Sequence, residues 1–384
     1  AGKRDFPARR VGVMGCMAQR MKERVFQKVP GLDFAVGTHR LAGLPRALDR
    51  LAEPGGPLLD AGEAEEDRHA LAGHVTTAAG VSSFVNILLG CDRRCAYCVV
   101  PAVRGGEWSR PAAGILDEVR GLALAGIKEV TLLGQSVLSY GRIHAVWPGG
   151  HVSPRGFREP FARLLEAASA VEGIRRIRFT SAHPSGCTAE LARAMAELPP
   201  VCEHLHLPLQ SGSDRILALM RRGYSADDYR KAVGRLRGAV AGMAFTTDVI
   251  VGFPTETPDD FERTRELMNE IQFDNAFVFK YSPRPGTPAA EWKDDVPAEE
   301  KARRNQVLLE DVDRQATANN ARRTGRDVEV LAEGVSLRNG SRWAGRTRTN
   351  MTAVFSPREG IAPGSLVKIR VTRARPQTLY GDLI

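Results

Sequence analysis

Between Ser83 and Ser282 six short apolar runs alternate with amphipathic helical patterns, and that alternation leaves the chain few folds to adopt. The candidate strands are FVNILLG, EVTLLG, IRFTS, EHLHLPL, FTTDVIVGF and AFVFKYS. Between them lie helical stretches such as ILDEVRGLALAG, TAELARAMAEL, SADDYRKAVGRLRGAV and TPDDFERTRELMNEI. The last has a legible start, with Thr257 as cap, Pro258 at the first helical position, and Asp259 and Asp260 facing the positive helix end. Runs such as VIVGF suit strands buried on both faces. Strand–helix repetition of this kind predicts an α/β fold with a parallel sheet and helical crossovers. Six units predict an incomplete (β/α)6 barrel, related to the eightfold one.

The flanks have a different texture. Residues 1–76 combine a strand over Arg10–Met14, helical stretches and an acidic, Gly-rich run, EPGGPLLDAGEAEEDRHALAGH, which reads as a linker. The barrel is expected over 77–308 and a helical connector over 309–320. Residues 321–384 hold alternating β-type segments broken by Gly, Pro and Asn, the pattern of a small all-β barrel. No apolar run approaches the length of a membrane span. The N-terminus AGKRDFPARR has no apolar segment of the secretory type, so a soluble cytoplasmic protein is expected.

Charge is unevenly placed. The formal net charge is +9, and from Lys301 to Ile384 there are 16 Lys and Arg against 8 Asp and Glu. A surplus confined to one small domain points to a polyanion, chiefly nucleic acid, with a solvated basic face as the plain alternative. Arg342, Arg346, Arg348 and Arg373 are the candidate phosphate contacts, and Trp343 is a candidate stacking group.

The six cysteines are Cys16, Cys91, Cys95, Cys98, Cys187 and Cys202. Three of them, in GCDRRCAYC, directly follow the first barrel strand, where loops at strand C-termini gather functional groups. A disulfide framework suits a small exported chain rather than this one. A zinc knuckle needs a fourth ligand, for which His183, His204 or His206 would have to come from afar. Small core residues sit badly beside Asp92, Arg93 and Arg94. Three thiolates fit an iron–sulfur cubane with one iron left open, the arrangement of a catalytic rather than a structural centre. His204 and His206 share one strand face and read as interior histidines that could line a cavity. Cys187 and Cys202 match no ligand spacing and read as buried small residues.

The CxxxCxxC spacing, with Tyr97 before the last cysteine, resembles the radical S-adenosylmethionine superfamily. The segments VNILLGCDRRCAYCVVPAVRGGEWSRP, EVTLLGQSV, IRFTSAHP, LHLPLQSGSDRILALMRRGYS, TTDVIVGFPTETPDDFE and FKYSPRPGTPAA resemble its methylthiotransferases, nearest the MiaB-type tRNA branch. The resemblance spans essentially the whole chain, and AGRTRTNMTAVF to the C-terminus resembles that family's RNA-binding TRAM domain.

What it implies is specific. Cys91, Cys95 and Cys98 would hold the 4Fe-4S cluster that cleaves S-adenosylmethionine. A deoxyadenosyl radical would then abstract hydrogen from C2 of an isopentenylated adenosine beside the anticodon. Sulfur insertion and methyl transfer from a second S-adenosylmethionine would follow. Tyr97 would lie near the cofactor adenine, and Gln135, Ser181, Gln210 and Asp248, at or just past strand ends, are candidates for further cofactor contacts, with ordinary loop hydrogen bonds as the alternative. The implied partners are the tRNA anticodon stem-loop, an external one-electron reductant and a sulfur donor, with no membrane and a monomeric enzyme. Ser136 stands where the family has Asn after GQ, and Ala102 where it often has Tyr after VVP.

The family also carries a second, auxiliary 4Fe-4S cluster on three N-terminal cysteines. VMGCMAQR matches the stretch with the last of them, so Cys16 is its candidate, and the sequence is expected to be an N-terminally truncated piece of a longer protein. Two other functions stay open. One is methylthiolation of threonylcarbamoyl-adenosine in tRNA or of a ribosomal protein; the other is a non-catalytic iron–sulfur or zinc protein that binds RNA.

Overall fold

In a computed structural model the described residues are 6, 9–51, 55–62, 80–147, 150 and 152–384. The chain divides into two compact units, one of residues 1–75, 89–93 and 99–108, the other of 76–88, 94–98 and 109–384.

The first unit holds a parallel sheet of β1 (Gly12–Met14), β2 (Phe34–Val36) and β3 (Leu58–Asp60), in that order. Helix α1 (Cys16–Met21) starts straight after β1. Ala18, Val25, Leu32 and Ala35 form one small core, and Phe34, Val36, Ala47 and Leu51 another. The linker expected at EPGGPLLD is corrected here: Leu58–Asp60 pairs in register with β2, because its three residues complete a sheet whose core needs a second flank. The acidic remainder of that linker, from Glu63 on, lies outside the described residues.

In the second unit all six expected barrel strands form: β4 (Ser82–Asn86), β5 (Glu129–Leu133), β6 (Arg176–Phe179), β7 (His204–His206), β8 (Ala244–Val251) and β9 (Asn275–Lys280). They pair in parallel as β4–β5–β6 and β7–β8–β9, and a bridge between Ile177 and Val201 joins the halves. The crossovers are α2 (Ala112–Leu124), α3 (Pro160–Ser169), α4 (Ala189–Glu197), α5 (Ala226–Ala239) and α6 (Pro258–Ile271). Capping boxes open α5 (Ser225 with Asp228) and α6 (Thr257 with Asp260), each cap contributing about 1 kcal/mol.

Successive strand residues face opposite sides. One side, with Val85, Val130, Leu132, Ile177, Phe179, Leu205, Phe245, Val249 and Val251, packs into the core beneath the helices. The register sets the other side, the lumen, in rungs: Ser82–Glu129–Arg176, Phe84–Thr131–Arg178, His206–Thr246–Asn275, Asp248–Phe277 and Ile250–Phe279.

The expected connector over 309–320 is corrected: it belongs to one helix, α7 (Ala298–Ala321), which begins within the barrel segment. Leu308 and Val312 join the barrel core, Asn305 donates to the Val278 carbonyl, and Arg265 pairs with Asp311 at 2.6 Å. A boundary at 308 would cut through a packed helix.

After α7, strands β10 (Asp327–Ser336), β11 (Asn339–Thr347), β12 (Thr352–Phe355), β13 (Leu366–Arg375) and β14 (Thr378–Leu383) close a barrel in the order β10–β11–β12–β14–β13. This barrel is fastened to the larger one by arginines. Arg176, fully buried, donates to the Arg346 carbonyl at 2.6 Å and to Glu329 at 2.9 Å. Arg178 donates to the Thr347 and Arg348 carbonyls at 2.7 and 2.8 Å, and pairs with Glu129 at 3.0 Å. Arg348 returns the contact, with Glu203 at 2.7 Å and the Val201 carbonyl at 2.7 Å.

Two outcomes follow from this junction. Arg176→Ala leaves Glu329 and the Arg346 carbonyl without their donor, so urea unfolding should show a loss of about 3–5 kcal/mol, and limited proteolysis should release the C-terminal barrel sooner. His204 sits at the same floor, its basicity pushed down to about 3 by burial, then by Arg178, His206 and Arg346. An unfolded histidine takes up a proton below about pH 6.5 while the folded one stays neutral, so this stabilisation is full above pH 6.5 and falls with acidification. The His204→Gln chain should therefore lose about 2 kcal/mol less than the parent between pH 6.5 and 5, measured by urea titration at each pH.

Candidate active site and nucleic-acid face

Two stretches of the cysteine loop are supported separately, each within its own unit. In the first, Gly90 has φ +73°, and a Cβ there would meet the Gly106 carbonyl oxygen at 2.0 Å, so only glycine permits this approach. The Cys91 amide donates to Gly105, and the Glu107 amide to Asp92. In the second, Ala96 is anchored on both backbone groups, donating to Met220 and accepting from Ala289. Ala96, Ile216, Met220, Phe253, Tyr281 and Ala289 form a separate apolar cluster against which Tyr97, Ile250 and Trp292 pack. Phe253 meets Tyr97, Tyr281 and Trp292 edge to face, with ring centroids 6.4, 5.2 and 5.7 Å apart.

A buried arginine stands against the loop. Arg222 Nη1 lies 3.2 Å from Cys95 Sγ and its Nε lies 3.3 Å from the Tyr224 hydroxyl. Burial works against its charge, but Tyr224, Tyr97 and Cys95 more than offset this and raise its basicity. Burial likewise pushes the Tyr97 phenol up, with Arg222 opposing. The sequence carries Arg222 in RRGYS, yet nothing in its spacing from Cys95 signals the contact. His183, between Ser185 and the Arg222 carbonyl at 3.1 Å, steadies the same corner and supplies no fourth ligand to the loop.

Among the described residues no three or more His, Cys, Asp or Glu side chains are gathered so as to hold a metal ion. The donor chemistry nevertheless fits an iron–sulfur cluster. Cys91, Cys95 and Cys98 form no disulfide, thiolates are the ligands such clusters take, and the Arg222 guanidinium lies 3.2 Å from Cys95 Sγ. Cys187 and Cys202 are buried as expected, with the Cys187 thiol pushed up to about 12 by burial. Cys16 opens α1 and is the only cysteine ahead of Cys91, so this chain's own residues do not fit an auxiliary cluster.

The other cofactor candidates divide by depth. Gln135 and Ser181 each follow their strand by two residues, and Ser181 has φ +60°. Gln210, at φ +67°, is buried with an Oε1 that has no protein partner, a polar group available to a ligand. The Ser136 hydroxyl is buried in the same state. Asp248 is corrected in position: it lies mid-strand in β8, facing the lumen, not at a strand end. Its Oδ2 is 3.3 Å from His206 Nε2, and Thr246 Oγ1 lies 3.0 Å from His206 Nδ1.

The small barrel divides the basic candidates as well. Arg348, clamped to Glu203, serves the junction between the barrels, which corrects its reading as a phosphate contact: bidentate pairing spends its fork on the protein itself. Trp343 packs against the barrel core beside Val330 and Phe355. Arg342, Arg346 and Arg373 line a concave face of 1240 Å³, where Arg373 stacks 4.2 Å above the Tyr380 ring. Tyr380 is the exposed-face aromatic that strand alternation alone did not single out.

Three comparisons bear on these features. The Radical SAM superfamily profile matches residues 85–268 and the TRAM domain profile residues 321–384. A tRNA-2-methylthio-N(6)-dimethylallyladenosine synthase of Akkermansia muciniphila is 43% identical over 384 residues, 96% of this chain and 82% of that protein. The protein of the same name from Carboxydothermus hydrogenoformans is 41% identical, spanning 100% of this chain and 84% of its own. Among solved structures, the radical S-adenosylmethionine methyltransferase TsrM of Kitasatospora setae matches with a TM-score of 0.55 at 17% identity, covering 73% of this chain and 57% of that one, a likeness of fold. With a six-stranded parallel barrel, a CxxxCxxC loop and a TRAM barrel in one chain, this protein belongs to the tRNA-2-methylthio-N(6)-dimethylallyladenosine synthase family of radical S-adenosylmethionine proteins.

Proposed function

We propose that this protein is a radical S-adenosylmethionine transferase that methylthiolates C2 of isopentenylated adenosine beside the anticodon of tRNA. The observation that carries this reading is the span of identity, 43% over 96% of the chain, with enzymes of that name. It takes in the cysteine loop and the basic barrel together, which a non-catalytic RNA-binding protein would not require.

Cys91, Cys95 and Cys98 would hold a 4Fe-4S cluster, with S-adenosylmethionine beside it. When bound, that cluster supplies one electron and an open iron for the sulfonium cofactor, whose cleavage yields the radical that attacks the adenine. The chain's own part is position and shielding. Ala96 fixes the loop through two backbone hydrogen bonds, and Arg222 balances charge at Cys95. The Phe253 cluster keeps water from the underside. Tyr97, Gln135, Ser181 and Gln210 are the proposed cofactor contacts. The reading calls for an external one-electron reductant and a sulfur donor, and for a monomer working in the reducing cytoplasm. No helix among the described residues is long and apolar enough to cross a membrane.

The decisive test is anaerobic reconstitution followed by mass spectrometry of nucleosides from a prenylated anticodon stem-loop. Deoxyadenosine is expected, and the 2-methylthio nucleoside once a complete auxiliary cluster accompanies the chain; replacing Cys91, Cys95 and Cys98 together by Ala should abolish both along with the cluster's visible absorption. Product on threonylcarbamoyl-adenosine alone would move the chain to that neighbouring activity. The basic face has its own test. Arg342→Ala with Arg373→Ala should weaken tRNA binding and reduce the slope of log K against log salt by about 2, read by fluorescence anisotropy from 50 to 200 mM salt. Arg348→Ala is instead expected to lower stability through the loss of Glu203.

A further inference from the structure

The lumen contains a combination that the cofactor site does not use. Phe277 and Phe279 on β9 are 51% and 53% exposed, and on the opposite edge strand β4 Phe84 is 55% exposed. Large aromatics left open on a sheet are uncommon and mark a contact site. All three belong to the lumen rungs: Phe84 pairs with Thr131, Phe277 with Asp248, and Phe279 with Ile250. They therefore flank the open side of the six-stranded barrel, one from β4 and two from β9.

Depth orders them. Ile250 packs into the cluster under the cysteine loop, so the Phe279 rung is the one nearest the cofactor. One rung deeper, Phe277 meets His206 edge to face, with ring centroids 6.1 Å apart, and His206 pairs with Asp248. Deeper still, Glu129, Arg178, His204, Glu333 and Arg346 close the floor of a 380 Å³ cavity that Phe84 and His206 also line. Glu333 and Arg346 line the concave basic face of the small barrel too. These two side chains therefore stand between the lumen floor and the basic face.

We propose that the middle of this lumen receives the target nucleoside flipped out of its RNA, with Phe277 and Phe279 taking the apolar N6 substituent and Asp248 the remaining N6–H. This rests on the function proposed above and names which residues of the same site select the base. The chemistry is complementary. An N6-alkylated adenine keeps one N–H donor beside a greasy chain, and the rung offers a carboxylate beside two open aromatic faces. His206 Nε2 lies 3.3 Å from Asp248 Oδ2 and its Nδ1 3.0 Å from the Thr246 hydroxyl, so the histidine engages Oδ2 and leaves Asp248 Oδ1 to accept from the base. The phosphates on either side would remain on the face of Arg342, Arg346 and Arg373, where Arg346 lines both cavities. Asp248 accordingly acts on the substrate side of the lumen, one rung below the cofactor contacts.

The test uses the full chain and two synthetic anticodon stem-loops that differ only in the N6-prenyl group. The parent should bind the prenylated oligonucleotide about tenfold more tightly, the equivalent of burying about two methylene groups. Phe277→Ala should shrink that preference to about twofold, with a far smaller change toward the unprenylated oligonucleotide, and Phe277→Leu should keep most of it. In turnover, Phe277→Ala should raise KM for the prenylated oligonucleotide more than it lowers kcat. A parent chain that does not distinguish the two oligonucleotides overturns the assignment, as does a Phe277→Ala chain with undiminished preference. Sedimentation that shifts from dimer to monomer in Phe277→Ala would instead give the aromatic patch to a second copy, and the assignment falls. If the parent forms no deoxyadenosine from S-adenosylmethionine at all, the proposed function fails; if it does and Phe277→Ala still discriminates, only this inference fails.

Discussion

The two-sidedness of six parallel strands is the constraint on which the rest of the structure depends. Helical crossovers cover one face, so alternate strand residues from Val85 to Val251 are mostly apolar and enter the common core. The other face is released from that demand and curls inward, where it carries Glu129, Arg178, His204, His206 and Asp248. A parallel sheet with polar residues on its concave side is stable only if those groups find partners. Here Thr246, Asp248 and the C-terminal barrel provide them.

That provision explains why the small barrel is not an appendage. Without the carbonyls of Arg346, Thr347 and Arg348, the two buried cations Arg176 and Arg178 would be left to share Glu129 within their own barrel, at a cost of several kcal/mol. Arg348 completes the exchange by reaching back to Glu203. The same junction forms the lumen floor, so a domain read from sequence as an RNA-binding module is also a wall of the catalytic chamber. Its arginines fall into two groups with different work: those that hold the barrels together and those that present charge outward.

At the opposite end of the lumen the cysteine loop shows how much support a short motif needs. Arg222 lies against Cys95, the backbone of Ala96 is tied to two other segments, and Tyr97 rests on Phe253. None of these supports lies within the motif itself.

The fold class, the six barrel strands, the capped start of α6, the three-cysteine loop and the TRAM barrel were all legible in the amino-acid sequence. Each rests on local information: apolar period, cap chemistry, or ligands only three or four residues apart. The linker that became β3 and the connector that became part of α7 were misread because short or polar segments are defined by what they pack against, and that partner is far away in sequence. The same reason separates Arg348, spent on Glu203, from Arg342 and Arg373, although all three look alike as basic residues in a basic tail. Asp248, His206 and Phe277 become one site only because strands β7, β8 and β9 align them in register. Sequence determined which chemistry the chain carries, and tertiary structure decided where it converges, since burial, register and pairing between distant segments arise only when the chain closes on itself.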